Sequence, residues 1–214
     1  MISHPRETLF VHIPKTGGQS VETVFLEDLG LDWADRAALL LRHNKDRMAG
    51  PEKLAHLYAD EYVALGHIPA QQFAAYLKFT IVRHPYDRVI SEYRYRAAAQ
   101  ARRGADRAMI GFDDFLRGDF ADDYRDVSRH MVAQVRFVQD ARGRCLVDHV
   151  LRFETLGQDI APLFERIFGD SRPLPHKNRS TGVPAIARDS LTPQQKETLQ
   201  DRYRADFKAF GYAP

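Results

Sequence analysis

A chain of 214 residues with 44% hydrophobic and 28% charged side chains can bury roughly 70% of its unfolded surface, so one globular domain over residues 1–214 is expected and no second domain is needed. The 31 Lys and Arg against 29 Asp and Glu leave a net charge of only +2, which does not suggest a general nucleic-acid binder and makes any anion recognition local. Cys145 is the single cysteine, which excludes an intrachain disulfide and a thiolate zinc cluster and fits a reducing cytoplasm.

Met1 to Thr8 lacks an apolar signal core, and no run of about 18 apolar residues is present to cross a bilayer, so a cytoplasmic protein without an anchor, or else a trimmed piece of a longer one, is expected. The first strand is predicted at Thr8–Ile13, followed by Pro14, Lys15, Thr16, Gly17, Gly18, Gln19 and Ser20 and a helix over Ser20–Leu29. Strand, paired glycines and helix start form the layout of a phosphate cradle: residues without Cβ let backbone N–H groups close on an anion, and the helix offers its positive end. Lysine adds a mobile point charge. A Walker A loop places its lysine after the glycines, whereas Lys15 and Thr16 precede Gly17 and Gly18, which disfavours an ordinary nucleotide kinase or GTPase. Ser20 fits either a phosphate ligand or a helix N-cap.

Another short strand is expected at Tyr62–Leu65, leading into Gly66 and His67, and a third at Phe79–Val82, leading into Arg83, His84 and Pro85. Helices are predicted over Pro85–Arg103, Phe112–Arg117 and Val127–Val138, with a loop at Gly104–Gly111. A fourth strand at Leu146–Leu151 and a helix over Glu154–Phe168 follow, then a loop at Arg172–Ala187. The last helix is expected over Thr192–Phe210, with Thr192 as N-cap, Pro193 at the first position and Gln195 at the third. Alternating strands and helices imply an α/β domain with a mostly parallel central sheet flanked by helices. Ligands of such sheets sit outside the carboxyl ends of the strands, where Lys15, His67 and Arg83 are all expected.

Together the segments Phe10–Ser20 and Lys78–Tyr93 resemble the sulfotransferases that use 3′-phosphoadenosine 5′-phosphosulfate, most closely the carbohydrate-type and uronosyl-type branches with their bacterial members. Phe10–Ser20 is similar to that family's 5′-phosphosulfate loop. Lys78–Tyr93 is similar to its 3′-phosphate motif, an arginine ending a strand with a serine eight positions on, here Arg83 and Ser91. The resemblance implies a P-loop-like nucleotide-binding architecture, the phosphosulfate nucleotide as sulfuryl donor, adenosine 3′,5′-bisphosphate as product, no need for a metal, and a hydroxyl acceptor, expected to be a carbohydrate. It further implies that Lys15 stabilises the departing phosphate, that Thr16, Gly17, Gly18, Gln19 and Ser20 cradle the 5′ end, and that Arg83 and Ser91 bind the 3′-phosphate.

His67 is the expected catalytic base, since an imidazole titrates near neutrality and Ala64–Pro69 resembles the Gly-His segment of uronosyl 2-O-sulfotransferases. That family often has a further histidine where this chain has Leu65, and His12 and His84 remain as alternative bases. Arg88 is expected to pair with Asp87 or another acid. Glu154 fits either a family junction or a helix N-terminus. Five arginines from Arg94 to Arg107 are read as a solvated face or as receivers of an acidic glycan. Pro175–Gly182 resembles a carboxyl-terminal segment of the family, a lid supplying Lys177, Arg179 and Ser180 to the nucleotide. An ATP-dependent kinase of P-loop type and a non-catalytic nucleotide-binding or sulfated-glycan-binding module are the rival readings, and oligomeric state is not readable.

Overall fold

The computed structural model describes residues 1–102, 110–118, 120, 123–175 and 186–214. Four strands, β1 Ile2–Ser3, β2 Thr8–Val11, β3 Leu77–Val82 and β4 His149–Arg152, form one sheet in that order, with β1 antiparallel to β2 and the β2–β3 and β3–β4 pairings parallel. The helices are α1 Gly18–Asp28, α2 Glu61–Ala64, α3 Ala70–Ala75, α4 Pro85–Arg102 and α5 Phe112–Leu116, then α6 Asp126–Arg129, α7 Gln134–Val138, α8 Leu156–Phe168, α9 Pro193–Arg202 and α10 Arg204–Phe210.

The inner strands read as unbroken apolar runs because both sheet faces are covered. Alternation along the pleat separates their side chains. Leu9, Val11 and Val82 join one cluster with Val89, Tyr93, Phe137 and Leu199, whereas Phe10, Phe79 and Ile81 join another with Phe25, Ile160 and Phe164. Helices α4, α7 and α9 therefore cover one face, and α1 and α8 the other.

Three predicted strands are present, and β1 adds an antiparallel edge that its two residues did not announce. The strand expected at Tyr62–Leu65 is instead the helical turn α2. A short apolar run carries no decisive period, and there is no place for it beside β2, which is already flanked by β1 and β3. The Leu65 N–H donates to the Glu61 carbonyl at 2.9 Å, closing the turn, and Tyr62 points inward with its hydroxyl donating to the Phe10 carbonyl at 3.3 Å.

The helix expected over Val127–Val138 is broken between α6 and α7. Asp206 reaches in from α10 and accepts the Gln134 and Val135 N–H groups, each at 2.9 Å, so a new helix start is capped there by a remote carboxylate. The last expected helix likewise divides at Tyr203, whose hydroxyl donates to the Met131 carbonyl at 2.8 Å, while Thr192 and Gln195 form the anticipated capping box. Among the described residues no helix is long and apolar enough to cross a membrane.

Candidate active site

A cleft of about 470 Å³ opens at the carboxyl ends of the three parallel strands. β2 leads into His12 and Lys15, β3 into Arg83, and β4 into Phe153, and all four side chains line it. This is the position at which open α/β sheets bind ligands.

The loop between β2 and α1 is shaped by two left-handed residues, Lys15 at φ 71° and Gly17 at φ 86°. Gly17 is the N-cap of α1 and supplies no side-chain cap, and the first turn holds no acidic residue, so the positive end of an eleven-residue helix is left for an anion. A Cβ on Gly18 would lie 2.3 Å from the His12 imidazole, which demands glycine at that position. Gly17, Gly18, Gln19 and Ser20 line the cleft, and Ser20 lies in the first turn rather than at the N-cap. Thr16 is not among the lining residues: its buried hydroxyl donates to the Ile13 carbonyl at 2.7 Å and so holds the turn closed.

Lys15 is half-buried in the lining of the cleft, with its ammonium 4.0 Å from the centre of the Tyr95 ring. Burial, joined by the nearby Arg83 and Lys53 charges and opposed by Glu92, pushes its pKa down from the ordinary lysine value. The Arg83 guanidinium stacks 4.2 Å above the Phe153 ring and donates to the Lys15 carbonyl at 3.2 Å, which couples the two basic groups. Its own pKa is lowered, chiefly by burial. Ser91 lines the cleft from α4, eight residues after Arg83.

Arg88 does not pair with Asp87. It is buried and donates to the carbonyls of Pro14 at 3.2 Å and of His130 and Val132 at 2.8 Å each, a clamp between the cradle loop and the break after α6. Asp87 pairs with Arg188 instead. Glu154 is a brace, accepting the His84 backbone N–H at 2.7 Å and the Tyr212 hydroxyl at 3.0 Å.

The histidines are distributed differently from the expectation. His67 is not among the residues lining the cleft, and its Nε2 is engaged by the Ala49 carbonyl at 2.8 Å. The strand that was to deliver it to the sheet edge is the helix α2, so His67 is not carried to the strand ends. His84 also lies outside the lining, packed among Tyr86, Phe207 and Tyr212 with Nε2 3.0 Å from the Ala213 carbonyl. His12, by contrast, lines the cleft, together with His56 and His130, which carry no sequence motif.

These three imidazoles follow one construction. Each presents Nδ1 to a buried carboxylate: His12 to Glu22 at 2.6 Å, His56 to Asp126 at 2.5 Å and His130 to Glu92 at 2.8 Å. Their rings form a row, with centroids 4.8 Å apart between His12 and His56 and 5.3 Å between His56 and His130. His130 Nε2 also lies 3.3 Å from Asp126, and Lys53 brings its ammonium to the same carboxylate at 2.7 Å. Burial lowers the His56 pKa to about 4, against the pull of Asp126, whereas His130 between its two carboxylates is raised despite burial. Asp126 lies far below the ordinary carboxylate value, because the two histidines outweigh its burial. Ligand-type atoms of His56, Asp126 and His130 all fall within 4.8 Å of one another, but the Lys53 ammonium already occupies this carboxylate, so the trio reads as an acid–base group.

No acidic residue lines the cleft among the described residues, while Lys15, Lys53, Arg83 and Arg102 do. Of the arginine run, Arg94 donates to the Ile186 carbonyl and Arg96 to Glu92, and Arg103 and Arg107 lie outside the described residues. Lys177, Arg179 and Ser180 also lie outside them. The cleft is thus suited to a polyanion, with a helix start, two half-buried cations and a row of imidazoles facing it.

No curated protein and no solved structure gives a significant match to this chain. A sequence model of the Sulfotransferase family matches residues 1–213, and the chain belongs to that family.

Proposed function

We propose that this protein transfers the sulfuryl group of 3′-phosphoadenosine 5′-phosphosulfate to a hydroxyl of a carbohydrate acceptor and releases adenosine 3′,5′-bisphosphate. The observation that carries this reading is the convergence, in one cleft, of the helix start at Gly17–Ser20 with Lys15, Arg83 and Ser91. A helix start with a lysine, joined by a further arginine and serine, suits a nucleotide phosphorylated at both ends better than one phosphorylated at the 5′ end alone. The backbone donors of α1 receive the 5′ end, and Lys15 leaves the Tyr95 ring to meet the charge that develops on the departing phosphate. Arg83 and Ser91 hold the 3′-phosphate. In this reading the positive field of the cleft stabilises the transition state and no metal is called for. The acceptor enters beside Tyr95 and Arg102, which line the cleft from α4. The lone cysteine fits a cytoplasmic setting.

Calorimetric titration with adenosine 3′,5′-bisphosphate, AMP and ATP tests the donor. The bisphosphate is expected to bind more than about tenfold tighter than AMP, since a charge-assisted contact contributes about 1.5–3 kcal/mol. Arg83→Ala should erase most of that preference. Equal affinity for the bisphosphate and AMP, or a preference for ATP, would count against the donor assignment.

A further inference from the structure

We propose that His56 is the proton acceptor of the transfer and that Asp126 is the residue that positions it, an assignment that rests on the sulfuryl-transfer reading above. Three cleft-lining imidazoles compete for the role, and their surroundings separate them. His130 has a carboxylate near each ring nitrogen, Glu92 hydrogen-bonded to Nδ1 at 2.8 Å and Asp126 3.3 Å from Nε2 without a hydrogen bond, so acidic groups flank it on both sides and its Nε2 is buried. His12 is packed over the start of α1, its Nε2 only 2.3 Å from where a Gly18 Cβ would stand, so it faces the cradle that receives the donor's anionic end. His56 lies between them in the row and contacts a carboxylate only through Nδ1.

The ionised Asp126 accepts from His56 Nδ1, which fixes the Nδ1–H tautomer and leaves the lone pair on Nε2, the atom with no hydrogen-bond partner among the described residues. Backbone geometry reinforces the orientation. His56 ends the 3₁₀ turn Leu54–His56, and its carbonyl accepts from Arg129 Nη1 at 3.0 Å. The charged and titratable groups around the ring are Asp126, His12, His130 and Glu22, with Lys53 and Arg129 one contact further out.

In the step, the acceptor O–H gives its proton to His56 Nε2 while the acceptor oxygen forms the bond to sulfur. The bond from sulfur to the bridging oxygen breaks, its electron pair leaves on the 5′-phosphate of adenosine 3′,5′-bisphosphate, and the imidazolium beside Asp126 later returns its proton to solvent.

Because the acceptor is unidentified, water serves as the probe acceptor. The full chain at a concentration matching that of 3′-phosphoadenosine 5′-phosphosulfate is followed for release of inorganic sulfate in a single turnover, alongside its affinity for adenosine 3′,5′-bisphosphate. The proposal expects His56→Gln to slow release by roughly 10²–10⁴-fold with nucleotide affinity within about twofold of the parent. Asp126→Asn should slow release by roughly 10²-fold and move the rising limb of the pH–rate profile to lower pH, as loss of the carboxylate makes the imidazole a weaker base. His56→Gln that binds nucleotide and releases sulfate at the parent rate overturns the assignment. So does a parent profile that is flat between pH 3 and 5, across the lowered His56 value of about 4, a measurement that needs no variant to fold. Parent protein that binds the nucleotide but releases no sulfate also counts against a poised base. Parent protein that does not bind adenosine 3′,5′-bisphosphate overturns the donor reading itself, and the base with it.

Discussion

At the scale of single residues, the cleft turns on which positions tolerate a methyl group. Gly18 does not: a Cβ there would lie 2.3 Å from two atoms of the His12 ring, and that ring is buried and bonded to Glu22. Gly18→Ala is therefore expected to destabilise the fold by about 1–3 kcal/mol, the usual cost of overpacking, and to weaken adenosine 3′,5′-bisphosphate binding as the helix start shifts. Gly157 provides the contrast, since it lies in α8 with open space around its Cβ direction and an ordinary φ. Gly157→Ala should raise stability by up to about 1 kcal/mol, through helix propensity alone. Urea denaturation midpoints of the two variants check the pair, and equal effects would show that the His12 contact does not constrain the loop. The glycines were legible as a cradle from Gly17 and Gly18 beside Lys15, but the need for glycine at Gly18 was not, because it comes from a ring folded back from His12.

At the scale of elements, α4 matters most, because it carries Arg88, Ser91, Tyr95 and Arg102 along one helix. Arg88 ties that helix to the Pro14 carbonyl before Lys15 and to the His130 and Val132 carbonyls in the break after α6. Arg88→Met keeps the bulk and leaves three acceptors without their donor, so a loss of about 3 kcal/mol or more is expected, with nucleotide affinity falling in parallel. A thermal or urea melt and one titration measure both, and a change in stability without a change in affinity would separate the clamp from the cradle. The strands β2 and β3 were readable because each is an apolar run ending in a basic motif. α2 was not, since Tyr62–Leu65 is too short to show a period. The break between α6 and α7 was equally hidden, because the groups that complete it, Asp206 and Arg88, lie far off in the chain. For the same reason sequence pointed to His67 and passed over His56 and His130. The partners that single out the latter two are 70 and 38 residues away, and only the folded chain brings them together.

At the scale of the whole molecule, a net charge of +2 conceals a strong segregation of sign. Cations line the cleft, while Glu22, Asp126 and Glu92 stand behind the histidines, which makes stability as well as ligand binding depend on pH. The folded pKa of His56 is about 4 against an ordinary 6.5, so between these values the unfolded chain binds a proton that the folded chain does not. Stability from this group is thus lost as pH falls from about 6.5 toward 4, by no more than about 3 kcal/mol. His130, with its pKa raised, contributes stability that is fully present below its unfolded value and is lost as pH rises through its folded value, so it does not produce the acid-side loss. The carboxylates, lowered in the fold, add their own loss only below the ordinary carboxylate range. Between pH 6.5 and 5 the slope is shared by His56, by the buried Met1 ammonium, which burial lowers to about 5, and by His84, which burial also lowers. Urea denaturation of the parent at pH 7, 6 and 5 should show stability falling across the series, and His56→Gln should make that fall shallower, the part due to the Met1 ammonium and His84 remaining, while leaving the loss below pH 4. Parallel curves for the two proteins would mean that the fold does not lower the His56 pKa, and the account of a ring kept neutral by burial would fail.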